Sequence, residues 1–188
     1  IDTPSVTDAG ATTEDTQTTS GLIIFRNVDD SSEVTHFKIS NPINGAVYKN
    51  DGTTAISDGD FITYDEGSAG LKFTPKANLY DLTSTFSFDV QASASDSDAG
   101  LAGNVVTASI PTVTAVADTP SITAANEIFE NTQTTDGLKI SANGVDDSEV
   151  TYFKISNSSN GTVYKNDGTT AIADGEFITL AEANAGLK

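Results

Sequence analysis

The chain has 188 residues, enough for one or two domains, and its composition restricts the function classes open to it. It carries 27 acidic and nine basic residues, a formal net charge of −18, so nucleic-acid phosphates and anionic membranes would repel it. The sequence has no Cys and a single histidine, His36, which excludes disulfides and thiolate-bound metals and leaves little material for His-based catalysis. We therefore expect no nucleic-acid partner, and the short apolar segments predict no membrane insertion. Because the sequence has no Met and no signal peptide ahead of Ile1, we expect an interior piece of a longer protein.

The composition predicts an all-β fold. There are 27 Thr and 15 Gly, and apolar segments of four to eight residues are separated by Asn, Asp, Gly and Ser. In chain order, the predicted strands of the first part are residues 5–13, 21–26, 34–40, 45–49, 53–56, 61–63, 71–74, 85–92 and 105–110. The sequence Asn50-Asp51-Gly52 predicts a hairpin turn, and residues 65–70 predict a helical turn. Seven or more strands with Greek-key connections would form an immunoglobulin-like β-sandwich.

Two of these strands have informative side-chain patterns. Inward-facing side chains in residues 85–92 are predicted to be Phe86, Phe88 and Val90. The strand at residues 34–40 alternates, with Val34, His36 and Lys38 on one face and Thr35, Phe37 and Ile39 on the other.

An internal repeat divides the chain. The sequence Asp2-Thr3-Pro4-Ser5 returns as Asp118-Thr119-Pro120-Ser121, which is an offset of 116 positions. At this offset, the segment 2–72 is identical to the segment 118–188 at 47 of 71 positions, without a gap. This predicts a complete repeat at residues 1–116 and a second, C-terminally truncated copy at residues 117–188, arranged as tandem repeats. We expect the neighbouring repeats of the chain to be its main partners. We also expect exposed strand edges in the second copy to promote self-association.

Several short motifs carry a resemblance to a known family. They are Glu14-Asp15-Thr16, Asp30 ahead of Glu33-Val34-Thr35, Asn44-Gly45, Phe73-Thr74-Pro75-Lys76-Ala77-Asn78 and Phe86-Ser87-Phe88. In this order they resemble the bacterial cadherin-like, immunoglobulin-like tandem repeats of large surface adhesins, many of them exported by type I secretion. The resemblance implies calcium at the junctions between repeats, a stalk-like role and an extracellular address at the bacterial cell surface.

The candidate calcium ligands are acidic residues in loops, because calcium prefers six to eight oxygen ligands. In an immunoglobulin-type topology, the N-terminal linker, the loop after residues 21–26 and the loop after residues 85–92 lie at one end of a unit. This predicts ligands among Asp2, Asp29, Asp30, Asp96 and Asp98. For the junction between the units, the predicted ligands are Glu14, Asp15, Asp118, Asp146 and Asp147.

Comparison of the two copies ranks these candidates. Glu14 and Asp30 keep their identity at the offset, as does Asp2, whereas Asp29 becomes Val145 and is the poorest candidate. The alternative is a solvated acidic surface that aids solubility. For the Asp58-Gly59-Asp60 sequence, a tight turn is favoured over a ligand role.

Three functions remain to be compared. A near-copy at constant spacing favours a structural extender of a large bacterial surface adhesin, rigidified by calcium. The alternative is an adhesion module that binds carbohydrate or protein, for which exposed aromatic rings are needed, and the sequence has no Trp and five Tyr. An enzyme is not expected, because no nucleophile–base pair is evident and the counterpart of His36 is Tyr152.

Overall fold

The structure is a computed structural model that describes residues 1–146 and 148–188, so the candidate ligand Asp147 lies outside the described residues. Within these residues, strands dominate and the α-helices are two short ones, which confirms the all-β prediction at the level of secondary structure. The chain divides into two compact units, Ile1–Ala115 and Val116–Lys188. In the described residues, no helix has the length and apolar character needed to cross a bilayer.

The first unit is built from two main antiparallel sheets. A four-stranded sheet has the order β10-β9-β4-β7, and a three-stranded sheet has the order β6-β5-β8. Two smaller pairs complete it, an antiparallel β1–β3 pair and a parallel β2–β11 pair. The strands are β1 (Ser5–Val6), β2 (Thr12–Thr13), β3 (Ile24–Phe25), β4 (His36–Ile43), β5 (Gly45–Tyr48), β6 (Ala55–Ile56), β7 (Phe61–Thr63), β8 (Lys72–Pro75), β9 (Ser87–Ser93), β10 (Leu101–Ser109) and β11 (Val113–Thr114).

Aromatic side chains from both sheets meet in the core of this unit. The ring of Phe73 on β8 stacks on Phe88 of β9 with a centroid separation of 6.5 Å, and it meets Phe86 edge-on at 6.4 Å. Phe86, Phe88 and Val90 are all buried, which confirms the predicted inward face. Aromatic pairs in such offset and edge-on geometries add to the stabilisation from burial.

Two predicted strands are only partly correct. The segment predicted at residues 21–26 is a strand only over β3, because Gly21 and Leu22 have φ values of 83° and 53° and cannot be extended. The segment predicted at residues 5–13 is two short strands, since β1 pairs with β3 whereas β2 pairs with β11. The chain therefore changes its pairing partner between Val6 and Thr12.

The predicted alternation in the third strand is correct only after His36. Phe37 and Ile39 are buried while His36 and Lys38 are partly exposed, as expected for β4. Val34 was predicted on the same face as His36 and Lys38 but is buried, because it precedes β4 and does not share its pleat. The strand also continues to Ile43, past a register shift between Ser40 and Ile43.

A short helix, α1 (Tyr64–Ser68), lies where the sequence predicts a helical turn. Thr63 caps it: its hydroxyl accepts the N–H of Glu66 (3.3 Å), and the Glu66 carboxylate accepts the N–H of Thr63 (2.8 Å). This capping box provides partners for two backbone donors that the helix leaves open.

The second unit has fewer described strands. They form two antiparallel pairs, β12–β13 and β14–β15, and a short helix follows the last strand. Its elements are β12 (Ser121–Thr123), β13 (Lys139–Ser141), β14 (Tyr152–Lys154), β15 (Phe177–Thr179) and α2 (Leu180–Ala185). Its buried apolar cluster is small and consists of Ile140, Val150, Phe153, Ile172, Ile178, Ala183 and Leu187.

Candidate functional site

Asp30 ties the first residues of the chain to the loop before β4. Its two carboxylate oxygens accept the backbone N–H of Asp2 at 3.1 and 3.0 Å, and its side chain is only 2 % exposed. The same loop holds the next residue, because the side-chain amide of Asn27 donates to the carbonyl of Thr3 (3.3 Å). A carboxylate that accepts a backbone N–H makes a charge-assisted hydrogen bond, which is stronger than a neutral one.

Asp146 makes the same connection in the second unit. One of its carboxylate oxygens accepts the N–H of Asp118 (2.9 Å), and the other accepts the N–H of Asn143 (3.1 Å). Asn143 in turn donates from its side chain to the carbonyl of Thr119 (3.3 Å), and Asp146 is 1 % exposed. Asp30 and its counterpart Asp146 are therefore both acceptors for backbone N–H groups, each in its own unit.

Asp96 and Asp98 lie exposed in the turn between β9 and β10. The start of β10 does approach the N-terminal segment, since the N–H of Asn104 donates to the hydroxyl of Thr3 (3.1 Å). The Asp98 carboxylate, however, pairs with the ammonium group of Lys38 on β4 at 2.6 Å.

Glu14 and Asp15 follow β2. Glu14 is 5 % exposed, and its backbone N–H donates to the carbonyl of Thr114 (3.0 Å). Asp15 is exposed, has a φ of 57°, and accepts the N–H of Asn78 at 3.3 Å. The two residues therefore support the β2–β11 pair and the segment after β8.

The acidic side chains of the described residues do not come together as a metal centre. Among residues 1–146 and 148–188, no group of three or more acidic, histidine or cysteine side chains could hold a metal ion. Asp2 and Asp30 meet, and so do Asp118 and Asp146, but each contact joins a backbone N–H to a carboxylate. The predicted junction set draws on both units and on Asp147, and it stays a prediction.

Other acidic residues hold turns. In the Asn50-Asp51-Gly52 turn, the Asp51 carboxylate accepts the hydroxyl of Thr54 (2.6 Å) and the N–H groups of Thr53 and Thr54 (2.8 Å each). These hydrogen bonds, led by the Thr54 hydroxyl, lower the pKa of Asp51 to about 2. Asp60 accepts the N–H of Ser57 (2.7 Å) and Gly59 has a φ of 88°, which supports the turn interpretation of the Asp58-Gly59-Asp60 sequence. Asp58 accepts the N–H of Asn41 on β4 (2.7 Å).

One ion pair in each unit was not anticipated from the sequence. Lys49 after β5 donates to Glu66 at the start of α1 (2.6 Å), and Lys165 donates to Glu182 in the same way (2.7 Å). The hydrogen bond from the lysine is the largest of several causes that lower the pKa of Glu66 and that lower the pKa of Glu182 to about 2; hydrogen bonds from Thr63 and Thr179 add to it. The sequence did contain a signal for this pair, because Lys49 and Glu66 are both retained at the offset of 116, as Lys165 and Glu182.

The tyrosines do not form an exposed aromatic platform. Tyr152, at 60 % exposure, is the one exposed tyrosine of the five, and Tyr80 is buried. Tyr64 is partly buried between Phe37, at a centroid separation of 6.1 Å, and the guanidinium of Arg26, at 3.6 Å from its ring. Stacking against a sugar needs accessible ring faces, and Tyr152 provides one at most.

Comparison with protein-family models, with curated proteins and with solved structures finds no match. The chain itself offers a comparison, because its two copies share contacts as well as sequence. The turn bonds of Asp51 recur at Asp167, with distances of 2.8, 2.8 and 2.5 Å to Thr169 and Thr170. The capping box of α1 recurs in α2, where Glu182 and Thr179 exchange the same two hydrogen bonds.

Proposed function

We propose that this chain is a structural extender, in which tandem immunoglobulin-like β-sandwich units of cadherin-like type lengthen a large extracellular adhesin of the bacterial cell surface. The observation that carries the proposal is the retention of the core between the copies. Every buried apolar residue of the first unit within residues 2–72 is identical 116 positions later. These residues are Ala9, Leu22, Ile24, Val34, Phe37, Ile39, Val47, Ile56, Ile62 and Leu71.

Three of the five accessible aromatic positions, by contrast, differ between the copies, whereas Tyr48 and Phe61 are retained as Tyr164 and Phe177. Phe25, which is 43 % exposed, becomes Ser141, and the partly exposed His36 and Tyr64 become Tyr152 and Leu180. A module that recognises one ligand needs a fixed set of accessible side chains, whereas an extender needs only the fold. The change at three of these five positions favours the extender over the carbohydrate- or protein-binding alternative.

The sandwich architecture is supported by contacts between the two main sheets. Phe73 belongs to the three-stranded sheet and stacks on Phe88 of the four-stranded sheet. Side chains from facing sheets that interdigitate in this way form the core of a β-sandwich. Such a unit buries its own core, so repeating it adds length without requiring new chemistry.

Calcium at the junctions belongs to the proposal through the family resemblance. Glu14, Asp15, Asp118, Asp146 and Asp147 would hold it, and the ion would offset the repulsion between neighbouring carboxylates. Because the described residues contain no preformed metal group, calcium binding is tested apart from the extender role.

The experiment that tests the extender role is mechanical. The full chain is pulled between its ends in a single-molecule force measurement, and it is also applied to panels of glycans and matrix proteins. An extender should resist force until the first unit unfolds, releasing about 3.6 Å of contour length for each residue of Ile1–Ala115. Saturable binding to a panel member, or extension without a force peak, would contradict the proposal.

A further inference from the structure

The loop between β13 and β14 contains an asparagine followed by a glycine, Asn143-Gly144, whereas its counterpart between β3 and β4 is Asn27-Val28. In both loops the asparagine is half-buried, and the residue after it is exposed. Val28 is 96 % exposed although strands β9 to β11 are present in its unit, so this position faces solvent in the fuller of the two folds. The two loops therefore form a matched pair with different residues after the same asparagine.

Two hydrogen bonds hold the side chain of Asn143. Its carbonyl oxygen Oδ1 accepts the N–H of Val145 (3.3 Å), and its Nδ2 donates to the carbonyl of Thr119 (3.3 Å). In the first unit Asn27 makes the same two hydrogen bonds, at 3.1 and 3.3 Å, with the counterparts of these residues. A donor on a carbonyl oxygen stabilises the negative charge that develops there when the carbonyl carbon is attacked. Both loops therefore favour attack on the asparagine side chain.

The residue after the asparagine decides whether that attack can come from the backbone. Glycine has no β-carbon to obstruct the approach of its own nitrogen, and its backbone adopts the conformations that ring closure requires. Valine at the same place is β-branched and stiff, which hinders closure. A Cβ atom added at Gly144 would meet no atom of the described residues within 4 Å, so the backbone there has room to move.

We propose that Asn143 is a site of spontaneous deamidation that has no equivalent at Asn27. The backbone nitrogen of Gly144 attacks Cγ of Asn143, and the new N–C bond closes a succinimide ring. The Cγ–Nδ2 bond breaks, and ammonia leaves with the proton that the Gly144 nitrogen gives up. Water then opens the ring at either carbonyl, which leaves aspartate or isoaspartate and a new negative charge at this position. The proposal does not depend on the extender role.

The other two Asn-Gly sequences of the chain differ from this one in backbone conformation. Asn44-Gly45 and its counterpart Asn160-Gly161 have the asparagine at a left-handed φ, 55° and 58°, whereas Asn143 has a negative φ. The Asn44 side chain also donates to the carbonyl of Thr85 (2.9 Å), and the glycine after it begins β5. Ring closure at Asn44 would therefore have to disturb the strand that follows it.

Deamidation at Asn143 releases the start of the second unit. The product has no side-chain N–H to donate to Thr119, so a carboxylate oxygen faces the Thr119 carbonyl instead. The new charge also lies close to the buried carboxylate of Asp146, which accepts the N–H groups of Asn143 (3.1 Å) and Asp118 (2.9 Å). A modification that places like charges side by side disrupts by repulsion. One hydrogen bond to residues 118–119 is thus lost and the other is weakened.

The test ages the full chain in mildly alkaline buffer made with heavy-oxygen water and follows each asparagine by peptide mapping and mass spectrometry. We expect Asn143 to take up oxygen from the water while Asn27 stays unchanged. Gly144→Val should slow the reaction about tenfold, and the reverse change, Val28→Gly, should make Asn27 reactive. Both variants should keep the fold, because Gly144 has no positive φ and the Val28 side chain is exposed.

A second measurement tests the structural consequence without ageing. Asn143→Asp carries the charge of the product, and we expect it to raise the exchange rate of the Asp118 N–H about fivefold, the factor for the loss of one hydrogen bond. The aged parent chain should show the same increase. Gly144→Val is the control for this measurement and should leave the exchange rate unchanged.

Three outcomes of ageing would overturn the proposal. The first is no oxygen uptake at Asn143 in the folded chain when the urea-unfolded chain does take it up, because the fold would then protect the loop. The second is an equal rate in the parent chain and in Gly144→Val. The third is an unreactive Asn27 in Val28→Gly. Unchanged exchange of the Asp118 N–H in Asn143→Asp would contradict the release of residues 118–119.

Discussion

At the scale of single residues, the two buried aspartates connect the start of each unit to a loop. Asp30→Ala removes the acceptor for the N–H of Asp2, and we expect the free energy of unfolding of the first unit to fall by about 2 kcal/mol. Urea unfolding, followed through amide exchange in β4, measures the effect. Asp29→Ala is the matched control and should change stability by less than about 0.5 kcal/mol, since its counterpart is Val145. Equal losses in both variants would contradict this role.

Another single residue, Asp51, gives a prediction about pH. Its pKa is lowered from 3.8 to about 2, so the folded chain favours the carboxylate. The stabilisation of the turn is therefore present above pH 3.8 and is lost as the pH falls towards 2. In an NMR titration, the amide shifts of Thr53 and Thr54 should change with a midpoint near 2. Thr54→Val removes the leading hydrogen bond and should raise the midpoint, and an unchanged midpoint would contradict the assigned cause.

At the scale of elements, the capping box decides where α1 begins. Thr63→Ala removes the acceptor for the N–H of Glu66, and we expect it to cost about 1 kcal/mol of stability. Thr63→Ser keeps a hydroxyl and should lose only a small part of that. Urea unfolding of the three chains compares them, and similar stability of the Ala and Ser variants would indicate that the cap contributes little.

The elements differ in how well the sequence predicts them. Turn chemistry and side-chain alternation are local, which is why the Asn50-Asp51-Gly52 hairpin, α1 and the inward face of β9 were predictable. The left-handed φ of Leu22 was not, because a non-glycine residue gives no local signal for that conformation. The change of partner between β1 and β2 depends on β11, about a hundred residues away in the chain.

The candidate site was predictable only in part, for a chemical reason. Identity between the copies selects Asp30 and Asp146 correctly as constrained residues. A buried carboxylate, however, serves either a cation or backbone N–H groups, and both uses require the same residue type. The sequence therefore identified Asp30 and Asp146 as constrained residues, but it did not identify their hydrogen-bond donors, the N–H groups of Asp2 and Asp118.

At the scale of the whole molecule, the remaining question is whether calcium acts on the chain. Thermal unfolding in chelator and in millimolar calcium measures this, because an ion that binds only the folded state raises Tm by mass action. The gain is about 2.7 kcal/mol at a hundredfold excess over Kd. Asp146→Ala should itself lower Tm, since two backbone N–H groups lose their acceptor. The informative quantity is therefore the difference in Tm between the two conditions.

We expect that difference to be clear in the parent chain and to disappear in Asp146→Ala and in Glu14→Ala. Glu127→Gln removes an exposed charge outside the candidate set and should keep the difference, so it controls for the general effect of lowering the negative charge. A difference lost in all three variants would indicate diffuse screening of the charge of −18 instead of a site. No difference in any chain would make the acidic loops a solvated surface, and the extender would then derive its stiffness from the β-sheet units and the linker between them.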